Sequence, residues 1–170
     1  MRLWLVRHGA TEWSEQGRLC GWTDIPLSPL GRSQAEPLRP RLHGRVFDGV
    51  WTSDLTRASE FAQLAAGPAV ADRRLREIDF GDLEGKVWSE FDRPTRDALA
   101  RFDGFLAPGG ESVTQLELRV GEFVSEIGSG EHLVFTHGGV VRLLTRRHGV
   151  VSHPIPGELT ILEWGSSDGE

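Results

Sequence analysis

Apolar positions along the chain fall into short unbroken runs and longer helical stripes. Leu3-Trp4-Leu5-Val6 is an apolar run that stops at Arg7-His8-Gly9. A run this short, with no polar alternation, predicts a strand buried on both faces, as in a parallel sheet. His132 to Phe135 repeats the pattern and stops at Thr136-His137-Gly138-Gly139. Phe47 to Thr52, Ala69 to Ala71 and Leu159 to Trp164 are further strand candidates, the last an edge strand. Helical signals lie between them. Ser28-Pro29 offers an N-cap and a first-turn proline, and predicts a helix to about Leu42 that Pro37 and Pro40 kink or cut short. Ser53-Asp54 predicts the cap of a helix to about Ala66, closed by Gly67-Pro68. From Ser112, the residues Val113, Leu116, Val120, Phe123, Val124 and Ile127 share one helical face, and Gly128 ends it. An apolar helix follows His137 to about His148. Residues 74–85 read as irregular, and 86–106 as helical pieces broken by Pro94 and Gly104, with a firm stop at Pro108-Gly109-Gly110. The tail from Gly165 is expected to fray.

Strands alternating with helices predict an α/β fold around a mostly parallel sheet. At 170 residues the chain is expected to form one domain, 1–170, with a short cap-like insertion at about 86–110. In such sheets ligands gather beyond the carboxyl ends of the strands. His8 and His137 each fall one or two residues past a predicted strand end, which is the first functional pointer.

Composition narrows the classes. A net charge of −6 and a pI near 5.5 argue against nucleic-acid or anionic-membrane binding, which needs a basic face. Cys20 is the sole cysteine, which excludes an intramolecular disulfide and a Cys-rich metal cage. The N-terminal apolar run is too short for a signal peptide or a membrane span, so a cytoplasmic protein is expected. Six histidines invite a metal site, but there is no His-x-x-x-His and no carboxylate cluster at metal spacing. No metal and no cofactor are expected, and His43, His132, His148 and His153 read as surface or capping residues.

The candidate chemistry sits at the breaks. Arg7-His8-Gly9 joins a cation, a nucleophile or base, and a permissive backbone; a neutral imidazole attacks phosphorus, and a neighbouring arginine keeps it neutral. Taken alone, the tripeptide fits an incidental strand end better. His137 opens a helix whose N-terminus suits an anion, or simply caps it. Arg57, in the first turn of its helix, opposes the macrodipole at a cost of roughly 0.3–1 kcal/mol, which an anion placed between them would offset. Glu77, in Arg76-Glu77-Ile78-Asp79, leads as general acid, while Asp79 and Glu84 read as solvated.

In order, these segments resemble the histidine phosphatase superfamily, also termed phosphoglycerate-mutase-like. The matching blocks are Leu5-Val6-Arg7-His8-Gly9-Ala10-Thr11-Glu12-Trp13, Gly21-Trp22-Thr23-Asp24 with Pro26-Leu27-Ser28 and Gly31, and Ser53-Asp54-Leu55-Thr56-Arg57-Ala58. They continue through Leu75-Arg76-Glu77-Ile78 with Phe80-Gly81 and Pro108-Gly109-Gly110-Glu111-Ser112 to Thr136-His137-Gly138-Gly139. The resemblance implies a three-layer α/β sandwich, a mostly parallel central sheet flanked by helices. It implies His8 as phosphorylated nucleophile and Glu77 as proton donor. Arg7, Arg57 and His137 would hold the phosphoryl oxygens, with Gly138 beside them. Ser14 stands where relatives often carry Asn, and Cys20-Gly21 would line the substrate side.

Within that family the 86–110 insertion is short and aromatic or acidic, with Trp88, Phe91, Asp92, Phe102 and Phe105. It lacks the paired basic motifs that hold a second phosphate in the longer mutases. That favours a phosphomonoesterase acting on a small phosphorylated metabolite, most like the small α-ribazole-phosphate phosphatase type. The alternatives are a phosphoglycerate mutase and a non-catalytic relative that binds phosphate or a partner. The aromatic insertion has two uses open to it: closing a pocket, or forming the face of a homodimer.

Overall fold

The computed structural model describes residues 1–165. The frayed tail expected from Gly165 lies, past that residue, outside the described residues. Among the described residues five strands form one sheet: β1 (Arg2–Arg7), β2 (Gly49–Thr52), β3 (Val70–Ala71), β4 (Glu131–Thr136) and β5 (Leu159–Glu163). Their order is β3-β2-β4-β1-β5, with every pairing parallel except β1 with β5. The edge position expected of the last strand is therefore observed, and it is the antiparallel one.

The α-helices that accompany the sheet are α1 (Glu12–Glu15), α2 (Pro29–Ser33), α3 (Arg39–Leu42), α4 (Thr56–Ala65), α5 (Arg93–Arg101), α6 (Val113–Ile127) and α7 (Gly138–Arg147). They cover both faces, because strand side chains alternate. Leu3 and Leu5 of β1 enter one core with Leu116, Val120 and Phe123 of α6 and Val140 and Leu144 of α7. Trp4 and Val6 enter the other, with Leu38, Leu42 and, from α4, Phe61, Ala62 and Ala65. The three layers follow from that two-residue period.

The prolines act in two ways. Pro37 and Pro40 divide the predicted 29–42 helix into α2, a 3₁₀ turn at Glu36–Leu38, and α3. Pro94 does not break a helix; it occupies the first turn of α5, where its missing N–H costs nothing. The expectation for Ser53-Asp54 is also corrected. Helix α4 starts at Thr56 with Leu55 at its N-cap and no side-chain cap of its own. Asp24, from the loop before α2, takes the Thr56 N–H at 2.8 Å and the Thr56 hydroxyl at 2.7 Å, so the cap arrives from 32 residues away. In the 86–110 insertion Phe91, Phe102 and Phe105 are buried in the core they share with α6 and α7, while half-exposed Trp88 lines a cavity together with Leu99 and Phe102.

Candidate active site

Strand register builds the site. In the parallel β1–β4 pair the last matched residues are Arg7 and Thr136. The next residues on each strand are His8 and His137, so the two imidazoles emerge side by side. Their centroids are 5.0 Å apart with the rings inclined at 67°, and both side chains are buried. His8 is anchored by its N–H to the Thr136 carbonyl at 3.0 Å.

The proton on His8 can be placed from its partners. Nδ1 lies 2.6 Å from the Gly9 carbonyl, which can only accept, so Nδ1 carries the hydrogen. Nε2 then carries the lone pair, which accepts from Arg57 Nε at 3.2 Å. Burial first, then the charges of Arg57 and Arg7, hold His8 well below the usual imidazole pKa, so the ring stays neutral.

Arg57 is fully enclosed at the start of α4. Nη2 donates to the Gly21 carbonyl at 2.6 Å and Nη1 to the Thr23 carbonyl at 3.1 Å, which aims the remaining Nε at His8. Gly21 thus serves through its backbone. That loop is held in turn by Glu84, whose carboxylate accepts from the Trp22 N–H at 2.7 Å, from the Thr23 N–H at 2.8 Å and from the Thr23 hydroxyl. Glu84 is therefore a structural anchor rather than a solvated carboxylate. Asp79 is likewise engaged, accepting from the Gly81 N–H at 2.9 Å.

His137 precedes α7 without capping it through its side chain. Its Nε2 lies 2.8 Å from Ser53 Oγ, which also accepts from the Leu55 N–H at 3.3 Å. The arrangement that satisfies both groups has the Ser53 hydroxyl donating to Nε2, which leaves the ring proton on Nδ1. Burial is the first cause, and Arg57 the next, of a pKa well below the imidazole norm. His137 Nδ1 and Arg7 Nε are buried polar nitrogens with no hydrogen-bond partner among the described residues. Leaving a buried donor unpaired costs about 1–3 kcal/mol, and a phosphoryl oxygen beside His8 would satisfy both. Arg7 is fixed by Nη1 donating to the Pro154 carbonyl at 2.6 Å.

Glu77 is buried too. Its carboxylate accepts from the Ile78 N–H and from the Gly139 N–H, each at 2.9 Å, so the first turn of α7 holds it. Gly138 packs against the Arg7 guanidinium, where a Cβ would lie 3.4 Å from it. Gly139 was not singled out in the sequence, although a Gly-Gly pair opening a helix is the signal that a backbone approaches another group closely.

Two predicted residues remain, Ser14 and Cys20. Ser14 sits in a capping box at the start of α1: Oγ accepts from the Thr11 N–H at 2.9 Å and donates to the Thr11 carbonyl at 3.0 Å. Its one hydroxyl proton is thereby committed. Cys20 is half buried near Arg57, Glu84 and Glu77, its thiol raised to about 11 chiefly by burial. Of the four histidines expected at the surface, His132 is instead buried and accepts from the Trp51 indole N–H at 3.4 Å. His153 borders a cavity of about 340 Å³ that opens from Arg7. Leu19, Phe80, Trp88, Leu99 and Phe102 line it, with Arg142 as its other cation.

The α/β sheet and the loops and helix starts beside it bring together two neutral imidazoles, two arginines and one backbone-held carboxylate, a constellation able to hold a phosphoryl group. The chain belongs to the histidine phosphatase superfamily (branch 1), whose family model matches residues 3–156. It is 36% identical over 158 residues to phosphoglycerate mutase-like protein 4 of Arabidopsis thaliana, covering 84% of this chain and 69% of that protein. It is 31% identical over 159 residues to the adenosylcobalamin/alpha-ribazole phosphatase of Escherichia coli, covering 86% and 78%. The crystal structure of a phosphoglycerate mutase from Thermus thermophilus superposes with a TM-score of 0.91 at 43% identity, over 96% of this chain and 94% of that one. Among the described residues no helix is long and apolar enough to cross a membrane.

Proposed function

We propose that the protein is a phosphomonoesterase that hydrolyses a small phosphorylated metabolite through a phosphohistidine on His8. The observation that carries this reading is the neutral His8 ring with its proton fixed on Nδ1 and its Nε2 lone pair turned to the Arg57 donor. Nε2 attacks phosphorus as the ester P–O bond breaks, and Glu77 gives its proton to the departing oxygen. Arg7, Arg57 and His137 Nδ1–H meet the charge on the transferring oxygens with donors set in advance. Glu77, now ionised, takes a proton from water; the water oxygen attacks phosphorus, and the P–N bond breaks with its electron pair returning to Nε2. Inorganic phosphate leaves and the starting protonation is restored.

The leaving group faces the cavity beyond Arg7, whose aromatic and aliphatic lining suits a ring-bearing alcohol better than a second phosphate. Arg142, the other cation there, already spends its guanidinium on the Leu99 and Ala100 carbonyls. This supports hydrolysis, with α-ribazole phosphate as one candidate substrate, consistent with the name of the Escherichia coli relative. The second reading is a phosphoglycerate mutase, favoured by the names of the plant and Thermus relatives.

Phosphate release from p-nitrophenyl phosphate at mildly acidic pH with EDTA tests the chemistry, and a screen that includes α-ribazole phosphate and the phosphoglycerates tests the substrate. Turnover lost in His8→Ala, with acid-labile label trapped on wild-type protein, supports the reading. A His8→Ala protein as active as wild type refutes it, and interconversion of 2- and 3-phosphoglycerate without phosphate release moves the assignment to the mutase.

A further inference from the structure

Glu77 stands on a stretch that no ladder or helix supports. Residues 76–80 run between 3₁₀ turns at Arg73–Leu75 and Gly81–Leu83. One side chain from the middle of α6 gathers this stretch. Arg119 Nη1 donates to the carbonyls of Arg74 and Arg76, both at 2.7 Å, and Nη2 donates to the carbonyl of Glu77 itself at 2.8 Å.

Glu111 closes the clamp. Its carboxylate accepts from Arg119 Nε at 2.7 Å and from Nη2 at 2.8 Å, and also takes the Asp79 N–H at 3.2 Å. Its own N–H donates to the Asp79 carbonyl at 2.8 Å. The two side chains are 15% and 11% exposed, so this fork-to-fork pair is largely desolvated. Burying an ion pair is weak evidence for stability, since lost hydration offsets the attraction. What directs the pair to a purpose is its choice of partners, the main-chain groups of residues 74, 76, 77 and 79, on both sides of Glu77.

We propose that Arg119 and Glu111 are positioning residues for proton transfer by Glu77, an inference that rests on Glu77 being the proton donor of the reaction above. Together with the Trp22 indole N–H, which donates to the Glu77 carbonyl at 2.8 Å, they set the backbone of residue 77, while the N–H groups of Ile78 and Gly139 set its carboxylate. Neither residue touches the phosphoryl group. Misplacing a catalytic group by about 1 Å costs on the order of 10²-fold. The cost falls only where the proton matters. An alkoxide must be protonated as its P–O bond breaks and the P–Nε2 bond forms, whereas a nitrophenolate departs with its electron pair unaided.

The test is kcat/KM, which reports the chemistry through phosphorylation of His8, measured for esters ranging from dinitrophenyl to simple alkyl phosphates. Wild type, R119K and E111Q are compared, with thermal melting and inhibition by inorganic phosphate alongside. Alkyl esters are expected to lose about 10²-fold and dinitrophenyl phosphate less than about 3-fold, with phosphate inhibition unchanged. In an E77Q background, R119K should cost alkyl esters nothing further. Should R119K not fold, the isosteric E111Q carries the comparison. An equal loss for every leaving group, or none in either variant, overturns the proposal while leaving the phosphatase reading in place. A wild-type protein that neither turns over an ester nor accepts label on His8 fails that reading, and this inference with it.

Discussion

Arg57 offers the sharpest quantitative test of the phosphate site. Its guanidinium meets three acceptors in different directions: His8 Nε2, the Gly21 carbonyl and the Thr23 carbonyl. A lysine keeps the charge but cannot span all three, and a methionine keeps the bulk alone. R57M leaves the buried Gly21 carbonyl without a partner, while the Thr23 carbonyl keeps the Ile25 N–H at 3.1 Å, so roughly 1–3 kcal/mol of stability should go. Loss of a preorganised oxyanion donor should lower kcat/KM for p-nitrophenyl phosphate by about 10²–10³-fold, or roughly 2.7–4 kcal/mol. A second effect separates charge from shape. Arg57 is the largest charge holding His8 below its ordinary pKa. Its removal raises the His8 pKa, so protonation silences the nucleophile at a higher pH. R57M should therefore move the acid limb of kcat/KM upward, and R57K should move it much less. Urea melts give the stability difference, and pH-rate profiles give the limb. A loss below about tenfold in R57M, or an acid limb that stays in place, would refute the assignment of Arg57 to both oxyanion and His8.

The remaining predictions use other parts of the site. His8 and His137 have folded-state pKa values lowered well below 6.5, so the unfolded chain binds more protons than the fold under mildly acidic conditions. Stability should fall as pH drops through about 6.5, by up to about 1.4 kcal/mol per pH unit for each ring; a flat urea midpoint between pH 7.5 and 5 would contradict this. Cys20, with its thiol near 11, should alkylate far more slowly than a free cysteine: about 10⁻³ of it is thiolate at pH 8, and rapid iodoacetamide labelling of the folded protein would count against its burial. G139A should push the Glu77 carboxylate aside, since a Cβ there would overlap it, and should lower kcat/KM for alkyl esters by roughly 10–10²-fold with little change in melting temperature.

Much of the fold was legible because it follows local rules. The two apolar runs were readable as parallel strands, and the proximity of His8 and His137 follows once those strands pair in register. Pro37 and Pro40 end helices by removing donors, a purely local effect. Pro94 misled for the same reason: an interior proline and a first-turn proline are the same residue until the helix start is known. Ser53 has the chemistry of a cap, yet its hydroxyl serves His137, and the cap of α4 comes from Asp24. Nothing within a window of ten residues carries that information. Ser14 is a related case, a hydroxyl placed as expected near the first strand end but consumed by its own helix start.

The site was harder to read than the fold wherever a residue works through the backbone of another. Glu84 and Arg119 look like ordinary surface charges in sequence, one in a polar loop and one on a long helix. Their partners are main-chain groups at residues 22–23 and 74–77, which sequence composition does not distinguish from any others. A charged side chain is expensive to bury unless its hydrogen bonds are met, and here they are met by the loops that carry Arg57's acceptors and Glu77. The residues proposed to touch phosphate can be recognised by type, since only a few side chains do that chemistry. Those that hold them in place are recognised by where a partly buried charge finds its partners, and both such charges lead back to the two loops on which the proposed reaction depends.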